Sequence, residues 1–169
     1  MDALEAISGR RSIRKYTADP VSEEAVETLL RAAMSAPSAN DEQPWHFVVI
    51  RDRALLNQIP AFHQYAKMLT EAATAILICG DQKSAGHLGY LIQDCSAATE
   101  NLLIAAHAAG LGAVWLGIYP REPRIQGIRD LLGLPPHIMP VALVAIGHPG
   151  ERKPPSNRFK KDRVHLDHW

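Results

Sequence analysis

The sequence predicts one domain of the α+β class, with α/β as the alternative that the pattern also allows. Three observations carry this. Helical and strand-like patterns alternate along the chain, and neither dominates. Its 169 residues suit one domain and can bury a core without disulfides or structural metal. Four short runs read as strands by their apolar, β-branched and aromatic content: Trp45–Ile50, Ala75–Cys79, Ala113–Ile118 and Met139–Ile146.

Each element has a local reason. Asp2–Ser8 predicts a short amphipathic helix, capped by Asp2, with Leu4 and Ile7 inward and Gly9 as its stop. Thr17–Val21 is a turn holding Pro20. Ser22, Glu23 and Glu24 open a second helix, in which Val26, Leu29, Leu30 and Ala33 recur at helical spacing until Pro37. The loop Pro37–Pro44 leads into the strand WHFVVI. A polar stretch with Pro60 then precedes a predicted helix around 61–72. After the strand AILIC, Tyr90–Ala109 is the longest helix. It is apolar on nearly all sides, which predicts a central place in the core. Gly110 and Gly112 end it before the third strand. Pro123–Leu132 is a further helix, closed by Gly133 and two prolines, and MPVALVAI is the fourth strand. From Gly147 the chain is polar and proline-rich with no helical period, which predicts a surface tail on its own subunit or a partner's.

Composition narrows the function. Hydrophobic residues make up 47% and charged residues 21%, and 18 basic side chains balance 18 acidic ones. This is no dedicated nucleic-acid binder. Two local basic clusters remain, at Arg10–Lys15 and at Arg152–Arg163, which suits a discrete anionic ligand. Cys79 and Cys95 sit in apolar settings without a CxxC partner and are expected to be buried free thiols in a reducing compartment. No signal peptide or membrane span is expected, and the cytoplasm is the default location. There is no GxGxxG after the first strand, no GxxxxGK[ST], no HExxH and no GxSxG around Ser38 or Ser96. His165 and His168 are expected to be solvated rather than metal ligands, and His107 to be a satisfied core histidine.

Two segments invite chemistry. Arg10-Arg11-Ser12-Ile13-Arg14-Lys15-Tyr16 follows Gly9 and is expected to run extended. Arg10, Ser12 and Arg14 would then share one face, with Arg11 and Ile13 on the other. Two guanidinium groups flanking a hydroxyl suit a phosphate or carbonyl clamp. A solvated basic strand is the equally weighted alternative. In Pro37-Ser38-Ala39-Asn40-Asp41-Glu42-Gln43-Pro44, small and amide residues between prolines allow the backbone to approach a flat ligand, with Asn40 and Gln43 at a heterocycle's edge. Taken alone, that segment is an ordinary helix-to-strand loop.

RRSIRKY followed by APSANDEQPWHF resembles the nitroreductase family of FMN-dependent oxidoreductases. AGLGAVWLG at 109–117 and AIGHP at 145–149 resemble the same family, as does the basic tail ending in Trp169, so the resemblance spans the chain. It implies a mainly antiparallel sheet flanked by helices, in an intertwined homodimer with two interfacial FMN sites and exchanged C-terminal tails from about residue 150. It also implies ping-pong chemistry: NADH or NADPH gives hydride to FMN N5, and a nitroaromatic or quinone then binds the same face. No side chain need act as acid or base. A non-catalytic FMN storage protein, a specialised ene-reductase or dehydrogenase, and a phosphate-clamping regulatory module are the alternatives.

By the resemblance, Arg10, Ser12 and Arg14 hold the FMN phosphate, ribityl chain and ring edge, with Arg11 among them. Pro37, Ser38, Ala39, Asn40, Asp41 and Gln43 belong to the loop that the other subunit lays against the flavin. Leu116 and Gly117 pack on the ring, with the Gly117 N–H toward N5. Arg158, with Lys160 as second choice, reaches the phosphate from the tail. Many family members carry Asn where this chain has Asp41; a carboxylate there cannot donate unless protonated. Only about eight residues (81–88) join the second strand to the long helix, where larger relatives insert helices. This predicts an open site with broad acceptor choice.

Overall fold

The computed structural model describes residues 1–169. Four strands form one fully antiparallel sheet: β1 Trp45–Ile50, β2 Thr74–Asp81, β3 Gly112–Gly117 and β4 Ile138–Gly147, in the order β1-β2-β4-β3. The α+β prediction holds and the α/β alternative falls away. Helices α1 Ala3–Gly9, α2 Glu23–Met34, α3 Arg53–Gln58, α4 Leu88–Ala108 and α5 Glu122–Leu132 flank the sheet; α1 packs on α4 and buries only Ala6, so Leu4 and Ile7, expected inward, stand exposed.

The central strands read as unbroken apolar runs because both faces of the sheet are buried. Register puts Ile76 opposite Val144 and Ile78 opposite Ala142 on the face that packs against α2 and α4. Leu77 and Leu116 both stand opposite Leu143 on the other face, over α5 and the segment following α3. Leu77 and Leu143 are fully buried, and each contributes about 1.5–3 kcal/mol by leaving water.

The helix predicted around 61–72 is absent. Asp52 accepts from the Ala54 and Leu55 N–H groups and starts α3 earlier, at Arg53. Two short 3₁₀ turns follow, at Ile59–Ala61 and Lys67–Thr70. Pro60 removes a donor, and the buried residues Ala66, Leu69 and Ala72 recur every three positions, the period of a 3₁₀ turn. The long helix begins at Leu88, capped by His87, whose ring accepts the Gly89 N–H. It is central as predicted, wedged between the sheet and α2. Residues 82–87 alone connect it to β2.

Cys79 and Cys95 are buried free thiols, with Cys95 Sγ 3.4 Å from the Cys79 carbonyl. Burial pushes both pKa values up to about 12, so neither is a nucleophile near neutral pH. No helix is long and apolar enough to cross a membrane.

One irregularity shapes the site. Between Ile78 and Cys79 the β2–β4 register skips Val141, a bulge beside Pro140, which has no N–H to give the ladder. The Val141 carbonyl accepts from both Ile118 N (3.2 Å) and Tyr119 N (3.1 Å), which turns the chain just past Gly117.

Candidate functional site

The two basic clusters meet. Residues 12–17 run beside 148–154: Thr17 N–H donates to the His148 carbonyl (3.0 Å), Gly150 N–H to Lys15 (2.8 Å) and Lys153 Nζ to Ser12 (2.7 Å). Arg14 N–H donates to Glu151 Oε1 at 2.6 Å, and this bond holds the Glu151 carboxyl below the usual carboxylate range. Tyr16 anchors the crossing: its hydroxyl donates to the Ile13 carbonyl at 2.8 Å, and burial raises its pKa well above the ordinary value.

Residues 10–14 then separate. Arg10 turns toward α4, its Nε 3.3 Å from Glu100 Oε1, and does not join Arg14. Ser12 bridges Ala113 along the outer edge of β3. Arg11 donates to the Pro154 carbonyl and, with Ile13, lines a cavity of about 330 Å³ that also holds His107. His107 is therefore a half-exposed cavity wall, not a core histidine. Arg14 lies in a second cleft of about 430 Å³, with His63, Lys67, Leu116, Gly117 and Arg124.

Gly117 sets the character of that cleft. Ile118 N–H bonds Val141, and the Ala113 carbonyl bonds Ile13 N–H. By the alternation of an antiparallel ladder, odd-numbered residues of β3 turn both backbone groups away from β4. The N–H and C=O of Gly117 therefore face the outer edge. Nothing lies within 4 Å of where a Cβ would stand, so a flat ligand can approach the bare backbone. The Gly117 carbonyl accepts from Arg124 Nη1 at 2.7 Å and from His63 Nε2 at 3.1 Å.

His63 and Arg124 escaped sequence reading. His63 is a lone histidine in a polar stretch, and Arg124 reads as a charge in a helix's first turn. The signal that joins them is tertiary: Gly127 in α5 lets the Phe62 ring approach so closely that a Cβ there would stand 2.4 Å from it. This docking brings the start of α5 against residues 59–63. Arg124 also lies over the Tyr65 ring, 5.5 Å from its centroid.

Burial and then the Arg124 charge pull the His63 pKa below 6.5, so His63 is neutral near pH 7. Below pH 6.5 the folded chain binds fewer protons here than the unfolded chain. Stability from this group is complete above about pH 6.5 and declines as pH falls toward the lowered pKa. Thermal unfolding of His63→Gln should show a shallower loss of Tm between pH 6.5 and 5 than the parent (buffers spanning the ordinary His range). Equal slopes would contradict the assignment.

The loop Pro37–Gln43 lies at the start of β1, across the sheet from β3. Three strand spacings, about 14 Å, separate the two edges. Ser38 Oγ accepts the Gln43 N–H at 3.0 Å, Ala39 N–H donates to buried Asp94 at 3.1 Å, and Gln43 Nε2 donates to Asp41 Oδ1 at 2.7 Å. Asn40, Asp41 and Gln43 all have positive φ, from 46° to 56°. Pro37 is exposed at the loop's entrance. Arg158 and Lys160 are exposed on the tail, away from the cleft's lining. The single chain thus brings Arg14, Leu116 and Gly117 together, and leaves the loop and the tail apart from them.

A model of the nitroreductase family matches residues 7–67 and 60–148. The chain belongs to the nitroreductase family. It is 48% identical to a protein of Methanothermobacter thermautotrophicus provisionally named an NADH dehydrogenase/NAD(P)H nitroreductase, covering all of this chain and 88% of that one. The crystal structure of a protein with the same provisional name, from Parabacteroides distasonis, superposes with a TM-score of 0.95 at 41% identity, covering 99% of this chain and 98% of the other. A provisionally named nitroreductase from Desulfovibrio desulfuricans, solved in complex with FMN, superposes with a TM-score of 0.88 at 35% identity over 100% and 98% of the two chains.

Proposed function

We propose that this nitroreductase-family chain uses NADH or NADPH to reduce nitroaromatic, quinone or similar organic acceptors, with FMN held in the Gly117 cleft and the two half-reactions following one another there. The enzyme class, an NAD(P)H-dependent flavin oxidoreductase using FMN, is that of the family. The observation that carries the reading is the bare Gly117 backbone facing a cleft with Arg14 in its wall. That arrangement fits FMN: a Cβ would stand where the ring approaches, and Arg14 offers a fixed fork to an anionic or carbonyl edge.

When bound, FMN supplies the two-electron chemistry, and the side chains bind, orient and exclude water. Leu116 and Gly117 would pack on the ring, with the Gly117 N–H as a preorganised donor where charge develops. Ser12 and Arg14 would hold the ring edge and ribityl phosphate. Arg10 and Arg11 would first have to leave Glu100 and the Pro154 carbonyl. A second subunit would supply the missing wall: its Pro37–Gln43 loop, including Ser38, Ala39, Asn40 and Asp41, and Arg158 or Lys160 from its tail. A homodimer would cover Phe159, Leu166 and Trp169, the large apolar side chains that the otherwise polar tail leaves exposed. The six-residue link between β2 and α4 leaves the cleft without an inserted cover and favours broad acceptor choice. A cytoplasmic setting fits two free cysteines.

Absorption spectroscopy of the purified chain, FMN extraction on denaturation, and NADH and NADPH oxidation with and without an acceptor together test the reading. A yellow protein that releases FMN and oxidises the dinucleotide only with acceptor is the expected result. A colourless protein that takes up no FMN overturns the cofactor reading. Tight FMN without turnover against an acceptor panel overturns the enzymatic one.

A further inference from the structure

A glycine at the end of a strand is free to turn, because no Cβ restricts its dihedrals. Gly117 has no neighbour within 4 Å on the side where a Cβ would stand. Yet its carbonyl takes two side-chain donors from separate segments. His63 reaches it from between the two 3₁₀ turns, and Arg124 from the first turn of α5. A carbonyl only accepts, so His63 carries its proton on Nε2 and presents a lone pair on Nδ1. That Nδ1 is buried with no partner, and the residue is 1% exposed. An unpaired buried acceptor opposes folding, and an apolar side chain of similar size would avoid it. The backbone around His63 is itself fixed, with His63 N–H on the Ile59 carbonyl (3.1 Å) and Ala66 N–H on the His63 carbonyl (2.9 Å). Arg124 is steadied by the Tyr65 ring.

We infer that His63 and Arg124 are positioning residues that lock Gly117 through its carbonyl and so keep its N–H aimed at the flavin edge of the cleft. The inference rests on the cofactor reading above. Both backbone groups of Gly117 point the same way, so holding the carbonyl fixes the residue in its extended conformation and the N–H with it. Without the lock, only the ladder bonds of its neighbours to β4 hold Gly117, and its peptide groups are freer to tilt. The effect is greatest where negative charge builds up on the bound cofactor, so the potential reports it as well as the affinity.

The test compares His63→Leu, His63→Gln and Arg124→Met in the full chain. Three readouts apply: the FMN dissociation constant by fluorescence, the midpoint potential of bound FMN, and solvent exchange of the ¹⁵N-labelled Gly117 amide in FMN-free protein. His63→Leu should weaken FMN roughly tenfold, the worth of one well-placed hydrogen bond. It should also lower the midpoint potential and speed Gly117 exchange. His63→Gln, whose amide can donate to the same carbonyl, should stay within about threefold of the parent in affinity and keep its potential. Should His63→Leu fail to fold, Arg124→Met carries the same expectation from the other donor. Parent-like affinity, potential and exchange in both donor-loss variants would overturn the lock, as would equal losses in His63→Leu and His63→Gln. A parent chain that binds no FMN is a separate outcome: it removes the cofactor reading, and the lock with it.

Discussion

Gly117→Leu is expected to purify without colour and to take up no FMN, while remaining folded. Two facts make this variant informative. Gly117 is not among the glycines with positive φ, so a side chain meets no backbone strain. Nothing lies within 4 Å of the added Cβ, so the fold has nothing to push aside. The new side chain must stand in the 430 Å³ cleft beside Arg14. The FMN-free protein should melt within about 2 °C of FMN-free parent, the usual range for a substitution that disturbs no packing. FMN extracted from Gly117→Leu in parental amount would place the cofactor elsewhere and end the case for this cleft.

If the proposed homodimer is held by its tails, removing residues 156–169 is expected to leave a monomer and to abolish FMN retention. Phe159, Leu166 and Trp169 are 77%, 85% and 102% exposed, an arrangement a protomer alone does not reward. Burying each in a partner would contribute about 1.5–3 kcal/mol. The cut spares Glu151 and Lys153, which tie the chain to Arg14 and Ser12, so each protomer should keep its fold. Light scattering after size exclusion reads the mass, and the flavin band reads the cofactor. A truncated chain that stays dimeric and yellow would remove the tail from the interface and leave Arg158 and Lys160 without a role.

The strands were legible because each is a short apolar run bounded by glycine, proline or polar residues, and buried on both faces where it is central. WHFVVI matches β1 residue for residue. The long helix was legible for the same reason, since α2 and the sheet cover most of it. The stretch 53–72 was not. Its order comes from Asp52 as a cap and from Ala66, Leu69 and Ala72 meeting the core at a three-residue period, signals a helical template passes over. In the cleft, Arg14, Leu116 and Gly117 could be named from the sequence because family resemblance marks them. The divergence of Arg10 toward Glu100 and of Arg11 toward Pro154 depends on α4 and on the returning segment of residues 148–154, partners 90 and 143 positions away that local alternation does not describe. His63 and Arg124 lay out of reach for the same reason: only the docking of α5 on Phe62 makes them neighbours.

The loop at 38–43 has a cost that shapes what evolution or design can do with it. Three residues with side chains hold left-handed backbone there, Asn40, Asp41 and Gln43, at about 1–2 kcal/mol each. Hydrogen bonds from Gln43 to Ser38 and Asp41, and from Ala39 to Asp94, keep the spring wound. Glycine at position 41 would relieve the backbone strain there, and it would also remove the acceptor of the Gln43 Nε2 bond. The same change would let the loop wander, so whatever it receives would have to bear the expense of ordering it. Strain and readiness are therefore joined in these six residues, and relieving the first gives up part of the second.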